Sequence, residues 1–189
     1  MTKIAAVVLA AGASTRMGQP KQLLTFRGKT LVEHVAREAL LAEFEPVVVV
    51  VGAGAEAVRA AVANLPVAIV ENEQWESGMG TSISAGVRAS PGCDGVAILL
   101  VDQPLVTAAH LREMRGSFCG DIVAARYNER LGVPAIFPKR LFGALTELQG
   151  HEGARSLLRS PDENVIAFDL PEAGLDVDTP GDWRAVSSA

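Results

Sequence analysis

The chain has 189 residues, of which 49% are hydrophobic, so it can bury a substantial core, and a single domain is expected. Its 22 acidic residues outnumber its 17 lysines and arginines, and the resulting net charge of −5 argues against a nucleic-acid surface and favours a small-molecule partner. No apolar run is long enough for a membrane helix, and Cys93 and Cys119 lack disulfide or zinc spacing, so a cytoplasmic location without membrane contact is expected.

The first predicted element is an apolar strand from Ile4 to Ala10, which leads into a loop of small residues and two cations. The stretch reads LAAGASTRMGQPK over 9–21, with the cations Arg16 and Lys21 near its end. Small side chains allow backbone N–H groups to approach phosphate oxygens, and the cations neutralise their charge. The loop therefore predicts a polyphosphate site, with an ordinary turn as the alternative. Residues 3–13 also have the outline of a signal peptide, but cleavage there would delete the loop, so we expect them to be retained.

Helices and strands then alternate along the chain. A capping box at Thr30 and Glu33 predicts a helix from about Leu31 to Glu43, and the β-branched run 46–51 predicts a strand covered on both faces. A helix ending near residue 64, a strand at 67–70, a helix near 81–89 and a strand at 96–101 follow. This rhythm predicts the fold class: a single-domain, doubly wound, mostly parallel α/β sheet of Rossmann-like type, with helices on both faces.

The second half alternates less clearly. Thr107 is expected to cap a helix that ends near Gly116. Strands are predicted at 122–126, 135–137 and 165–169, a turn at 127–132, and short helices at 139–148 and 153–159. In the tail, Thr179 suits a helix cap and Pro180 the first helical position.

Asp102 directly follows the predicted strand Val96 to Val101. Ligands of open α/β sheets bind beyond the carboxyl ends of the strands, and Mg²⁺ prefers oxygen ligands, often with only one or two from the protein. Asp102 is therefore a candidate Mg²⁺ ligand. Asp178 is the natural second ligand and Asp176 the alternative, while helix or turn capping is the competing interpretation.

A second glycine loop, Gly52 to Ala57, matches the dinucleotide pattern GxGxxA, and Glu71 ends the next predicted strand. Taken alone, this pattern indicates NAD. A dinucleotide site there would leave Arg16, Lys21 and Asp102 unexplained, so NAD binding is the minor alternative. No GxSxG motif is present and the histidines have no evident partner for a triad, so nucleophilic catalysis is not expected.

These motifs together resemble the MobA-like nucleotidyltransferases, and most closely the molybdenum cofactor cytidylyltransferase branch. The resemblance rests on LAAGASTRMGQPK at 9–21, the stretch 72–86, LLVDQP at 99–104, GVPAIFP at 132–138, GHEGARSLL at 150–158 and DVDTPGD at 176–182. It implies transfer of CMP from CTP to the terminal phosphate of molybdopterin, with Mg²⁺ as cofactor and release of pyrophosphate. The attacking group is itself an anion, so positioning and charge neutralisation suffice, and no triad is needed.

The resemblance also implies a role for individual residues. Arg16, Lys21 and Asp102 would be catalytic, and Asp102 and Asp178 would hold Mg²⁺. Nucleotide binding would involve Leu9, Ala10, Ala11, Gly12, Ala13, Ser14, Met17, Gly18, Gly78, Met79, Ser82 and Gln103. Acceptor binding would involve Gly132, Pro134, Gly153 and Arg155. Guanylyl-transferring relatives tend to have glycine where Ala11 stands, and its methyl group should crowd a purine, which favours CTP.

Two positions on the acceptor side depart from the family pattern: His151, where an acid is common, and Val133, where many relatives have histidine. The acceptor can therefore also be another small phosphate, such as a sugar phosphate or a purine-pathway compound. A further alternative is a non-catalytic nucleotide- or cofactor-binding chaperone for molybdenum enzymes. On that hypothesis the protein partner is a molybdenum hydroxylase or its maturation factor.

Overall fold

The computed structural model of the protein describes residues 2–150 and 153–187. Its strands are β1 (Ile4–Ala10), β2 (Thr25–Phe26), β3 (Lys29–Thr30), β4 (Val47–Val51), β5 (Ala68–Glu71), β6 (Gly95–Leu100), β7 (Ile122–Tyr127), β8 (Arg130–Pro138) and β9 (Val165–Asp169). Its helices are α1 (Leu31–Leu41), α2 (Ala55–Val62), α3 (Met79–Arg88), α4 (Ala108–Gly116), α5 (Phe142–Thr146), α6 (Arg155–Leu158) and α7 (Pro180–Ser187). Short 3-10 turns occur at Lys21–Leu23, Trp75–Ser77, Lys139–Leu141 and Pro171–Gly174.

Seven strands form one sheet in the order β5-β4-β1-β6-β8-β7-β9, and β2 pairs with β3 in a small ribbon. Strands β5, β4, β1 and β6 are parallel, as are β7 and β9, whereas β8 is antiparallel to both of its neighbours. The predicted fold class, a mostly parallel α/β sheet, is confirmed. Because Leu9 lies opposite Leu100 and Ala10 opposite Val51, the loops after β1, β4 and β6 meet at one edge of the sheet.

Both faces of the sheet are covered, as the apolar strands predict. Along β1, Ala6 and Val8 belong to the core beneath α1, α2 and α4, whereas Val7 and Leu9 belong to the core beneath α3 and α5. Gly86 on α3 lies directly over Val7, and a Cβ atom there would overlap the valine side chain. In the described ranges, no helix is long and apolar enough to span a bilayer.

The main departure from the predicted elements is in the hairpin of β7 and β8. The predicted turn at 127–132 contracts to Asn128 and Glu129, whose φ angles are 49° and 59°, and β8 begins at Arg130. The register moves from Ala124 opposite Ala135 to Ala125 opposite Gly132, so residues 133–134 bulge out of the ladder. A bulge tolerates a proline because no ladder hydrogen bond is lost there. Cross-strand pairing thus overrides the loop character that glycine and proline suggest in the sequence.

The two short helices of the second half are also shorter than predicted. The predicted helix at 139–148 is a 3-10 turn at Lys139–Leu141 followed by α5, and the predicted helix at 153–159 is confined to α6. The first helix ends at Leu41 because Glu43, with a φ of 62°, has left the helical conformation. The predicted caps are present: Thr30 accepts a hydrogen bond from Glu33 N, and Thr107 accepts one from His110 N.

Candidate active site

The site is centred on Lys21, which forms ion pairs with two carboxylates at the edge of the sheet where β1 and β6 end. Lys21 Nζ lies 2.5 Å from Asp102 Oδ2 and 2.9 Å from Asp178 Oδ1. Arg16 NH2 lies 2.9 Å from the other oxygen of Asp178. The structure thus brings together the three predicted catalytic residues and the second predicted metal ligand, although Lys21 and Asp178 are 157 residues apart in the chain.

Asp178 reaches this position because the tail packs against the end of β6. Val177 N donates a hydrogen bond of 2.8 Å to the carbonyl oxygen of Asp102, and the Val177 side chain is buried in a small core with Phe26 and Leu31. The Asp182 carboxylate accepts hydrogen bonds from the backbone and hydroxyl of Thr179, both at 2.8 Å. The helix cap and the buried valine therefore fix the intervening Asp178.

The loop after β1 is held from within by Gln22, which is only 1% exposed. Its Nε2 donates to the carbonyl oxygens of Ala10 (3.1 Å) and Gly12 (2.5 Å), and its Oε1 accepts from Ser14 Oγ (3.1 Å). Ser14 Oγ in turn accepts from Lys21 N at 3.1 Å. Gln22 is not among the residues predicted to form the site. A polar residue ahead of two leucines was the available signal, but its burial depends on the folded loop.

The loop borders a cavity of about 410 Å³, called the first cavity below. Ten of the predicted residues line it: Leu9, Ala11, Gly12, Ala13, Arg16, Lys21, Gly78, Met79, Ser82 and Asp102. It is also lined by six residues that were not predicted to belong to the site, namely Thr15, Gln22, Trp75, Glu76, Leu100 and Val101. The first cavity therefore combines the small-residue loop and its cations with residues at the start of α3.

Five residues predicted to bind nucleotide do not line the first cavity. Ala10 points to the opposite face of the sheet, because strand side chains alternate, and Met17 packs with Phe26 in the small core. Ser14 serves the loop scaffold, and Gly18 adopts a φ of +73°. Gln103 is buried and donates to the carbonyl oxygens of Val133 and Ala173, away from the first cavity.

A second cavity, of about 340 Å³, adjoins the first, and Met79 and Leu100 line both. Three predicted acceptor residues, Gly132, Gly153 and Arg155, line this second cavity. The fourth, Pro134, does not: it lies in the bulge of β8 and faces a small pocket between α1 and α4. His151, noted in the sequence, lies outside the described residues.

The site combines two cations, Arg16 and Lys21, with the carboxylates of Asp102 and Asp178 and the neighbouring carboxyl group of Asp176. Burial alone would lower the pKa of the Lys21 ammonium group, but its contacts with Asp102 and Asp178 raise that pKa, so Lys21 stays charged. Surrounding protein atoms partly desolvate the Asp176 carboxyl group, and the carboxylates of Asp102 and Asp178 lie nearby. Both effects disfavour its charged form and raise the pKa of Asp176 to about 6. Asp102 Oδ1 is buried and has no hydrogen-bond partner within the described part of the chain.

The second glycine loop supports the first loop. A Cβ atom on Gly52 would lie 2.8 Å from the carbonyl oxygen of Ala11 and from the Trp75 side chain, and Ala53 N donates to the same carbonyl at 3.0 Å. Residues 52–57 line neither cavity. The close approach of two backbones is thus a sufficient reason for glycine at position 52.

Replacing Gln22 by leucine is expected to weaken nucleotide binding and stability together. The change leaves the carbonyls of Ala10 and Gly12 unpaired in a buried place, at a cost of roughly 1–3 kcal/mol, and it loosens the loop that borders the first cavity. Titration calorimetry with a nucleoside triphosphate should show at least a several-fold higher Kd. Gln19→Leu, on the exposed part of the same loop, is the control. Equal affinity in both variants would contradict a scaffold role for Gln22.

The fold and the site define a nucleotidyltransferase, with a small-residue loop, two cations and a carboxylate at the carboxyl edge of a parallel sheet. Comparison with known proteins agrees: the family described as MobA-like NTP transferase domain matches residues 6–165. The chain therefore belongs to the MobA-like NTP transferase family, as its motifs predict.

Individual relatives cover nearly the whole chain. It is 37% identical over 188 residues to nicotine blue oxidoreductase of Paenarthrobacter nicotinovorans, covering 93% of this chain and 92% of that one. It is 32% identical over 199 residues to purine catabolism protein PucB of Bacillus subtilis strain 168, covering 97% and 95%. The crystal structure of Rv0371c from Mycobacterium tuberculosis H37Rv in complex with manganese has a TM-score of 0.84 and 34% identity, with both chains covered completely.

Proposed function

We propose that the protein transfers CMP from CTP to the terminal phosphate of molybdopterin in a divalent-metal-dependent reaction that releases pyrophosphate. The observation that carries this proposal is the position of Lys21, which joins Asp102 and Asp178 beside the small-residue loop of the first cavity. The side chains of Lys21 and Asp102 are only 16% and 14% exposed. Charges in such a partly desolvated place act more strongly on a phosphate than they would in water.

In this proposal each of the two cavities binds one of the two substrates. The triphosphate occupies the first cavity, where backbone N–H groups of residues 11–14 donate to its oxygens and Arg16 and Lys21 neutralise charge. The acceptor occupies the second cavity, and its phosphate lies at the border formed by Met79 and Leu100. Because the cavities share this wall, the attacking oxygen and the α-phosphorus can be aligned without movement of a domain.

Asp102 and Asp178 are the proposed Mg²⁺ ligands, and the residues present fit this cation. The buried and unpartnered Oδ1 of Asp102 is a free carboxylate ligand, whereas both oxygens of Asp178 are paired with Lys21 and Arg16, so Asp178 would bind the cation in exchange for one of these pairs. Within residues 2–150 and 153–187, no group of three or more His, Cys, Asp or Glu side chains is placed to hold a metal. A site with only two carboxylates suits Mg²⁺, which keeps several waters and substrate oxygens, and the bound cation would neutralise charge on the triphosphate. The manganese complex of Rv0371c supports a divalent cation in this family.

The chemistry requires no protein nucleophile. An oxygen of the acceptor phosphate forms a bond to the α-phosphorus of CTP, the bond between that phosphorus and the bridging oxygen breaks, and pyrophosphate leaves with the electron pair. The attacking oxygen is already anionic, so no base has to remove a proton. Arg16 and Lys21 hold the phosphates in line and stabilise the charge that develops on the leaving group.

Ala11 supports CTP as the donor. It lines the first cavity, is 4% exposed, and its carbonyl is fixed by Ala53 N, so its methyl group cannot move aside easily. A wall fixed in this way favours the smaller pyrimidine over a purine. The same reaction on another small phosphate, such as a sugar phosphate or a purine-pathway compound, would use the same site.

The test is nucleotide choice followed by turnover. Titration calorimetry with CTP, GTP and ATP, each with Mg²⁺, should show tightest binding of CTP. Pyrophosphate should then be released from CTP in the presence of molybdopterin, and not when GTP or ATP replaces CTP. Turnover with CTP but with a different phosphate acceptor would support CMP transfer and would replace only molybdopterin in the proposal. Absence of turnover with every triphosphate would contradict the proposal.

A second candidate function is an oxidoreductase, because a 37% identical relative bears the name nicotine blue oxidoreductase. The geometry gives no support for a dinucleotide at residues 52–57, where Gly52 lies against Ala11 and Trp75. A nicotinamide nucleotide would therefore have to occupy the first cavity, in competition with CTP. Equilibrium dialysis with NADH and NADPH, with and without CTP and Mg²⁺, separates the two functions.

A further inference from the structure

Three arginines lie on the lining of the second cavity in a chain whose net charge is −5. Arg130 begins β8, and Arg155 and Arg159 lie one helical turn apart at α6. All three residues are exposed, and none forms an ion pair with another residue in the described ranges. Elsewhere, arginines such as Arg59 and Arg126 are paired with carboxylates. Among the described residues one carboxylate, Asp176, also lines this cavity, so its lining carries three positive charges against one negative charge.

The rest of the lining is largely apolar. Ile83, Ile98, Leu131 and Leu158 contribute side chains, and the space above Gly132 is occupied by the Tyr127 hydroxyl group. A ligand that matches both the apolar lining and the three arginines has a compact apolar or planar body with anionic groups at its edge. Uncharged ligands would leave the three guanidinium groups without a partner.

The border with the first cavity indicates which arginine serves the reacting phosphate. A Cβ atom on Gly153 would lie 3.3 Å from Met79 Sδ, so this part of the chain lies against the wall shared by the two cavities. Arg155 follows two residues later, whereas Arg130 adjoins the turn of the hairpin and Arg159 follows the end of α6. None of the three arginines lines the first cavity, and Arg155 is the one that lies nearest in the chain to Gly153 at the shared wall. Arg130 and Arg159 are therefore left for a different part of the occupant.

We propose that Arg130 and Arg159 form a subsite for a second anionic group of the acceptor, separate from the phosphate that reacts. The inference rests on the proposed function insofar as it places the acceptor in the second cavity. Guanidinium groups bind phosphate or carboxylate oxygens through paired N–H donors, so the substrate class is an acceptor with at least two anionic groups. An acceptor with a single phosphate would use Arg155 alone and would bind more weakly.

The subsite can be tested without nucleotide by titrating the full-length, ¹⁵N-labelled chain with inorganic phosphate and following the arginine Nε–Hε resonances. Those of Arg130 and Arg159 should shift along one common, saturating curve. Arg88, whose guanidinium donates to the Thr146 carbonyl, should show only the small change produced by sodium chloride at the same ionic strength. Arg130→Gln should weaken the phosphate affinity seen at Arg159 roughly tenfold, and Arg88→Gln should leave it unchanged.

Two outcomes would overturn the subsite: shifts of Arg130 and Arg159 that do not saturate, or an Arg159 curve unaffected by Arg130→Gln. Phosphate held by the loop of the first cavity is distinguished in the same spectra because it moves Arg16 instead. The result is independent of turnover. Loss of CTP transfer with an intact subsite would contradict the proposed function alone, and transfer with a missing subsite would contradict this inference alone.

Discussion

Asp102→Asn is expected to lower kcat for nucleotidyl transfer about 10²- to 10³-fold while the protein remains folded. Asparagine has nearly the same shape and still accepts a hydrogen bond from Lys21, so the end of β6 keeps its structure. The substitution removes the negative charge of the carboxylate whose Oδ1 is buried without a partner. Pyrophosphate release with CTP, molybdopterin and Mg²⁺ measures the loss, and thermal unfolding confirms the fold.

Nucleotide binding gives this experiment a second readout. Without a metal, CTP affinity should stay the same or rise, because a negative charge near the triphosphate has been removed, whereas the gain in affinity on adding Mg²⁺ should be lost. Asp162→Asn, on an exposed loop, is the matched control for loss of a carboxylate. Full activity of Asp102→Asn in vitro would contradict its catalytic role. Unchanged function in cells despite inactivity in vitro would favour the binding chaperone.

Gly52→Ala is expected to destabilise the protein by about 1–3 kcal/mol and to weaken CTP binding. The new methyl group would lie 2.8 Å from the Ala11 carbonyl oxygen and from the Trp75 side chain, so the first loop or the tryptophan must move. Both belong to residues that line the first cavity. Urea denaturation measures the stability change, and calorimetry measures the Kd for CTP.

Gly143→Ala provides the control, because a Cβ atom at position 143 has no neighbour within 4 Å. That variant should retain the CTP affinity of the parent protein and be at least as stable, because alanine favours a helix over glycine. The two interpretations of the second glycine loop predict opposite results for Gly52→Ala. If the second glycine loop supports the first loop, Gly52→Ala should weaken CTP binding. If it is a dinucleotide site, the substitution should weaken NADH binding and leave the affinity for CTP unchanged.

Much of the fold could be predicted because it depends on local signals. The β-branched run of β4 and the caps at Thr30 and Thr107 lie where those patterns place them. Prediction failed at the hairpin of β7 and β8, where Gly132 and Pro134 look like loop residues. Their strand conformation depends on a partner strand and on a bulge, and neither is visible in a short window of sequence.

The candidate site likewise contains residues that could be predicted from the sequence and residues that could not. Arg16, Lys21 and Asp102 could be proposed from residue type and their position after apolar strands. The burial of Gln22 could not, because it depends on how the loop folds back on β1. Pro134 was assigned to the acceptor by resemblance to the family, yet its side chain lies on another side of the sheet from the second cavity.

By itself the sequence determined the family, the α/β class and the small-residue loop with its two cations, because these depend on residue types at short spacing. Only the tertiary structure decided that Lys21 binds Asp102 and Asp178 at once, and that the glycine loop at 52–54 braces the loop after β1. The physical reason is that these contacts join residues up to 157 positions apart. Such contacts follow from strand order and from the packing of the tail on β6, which no local pattern encodes.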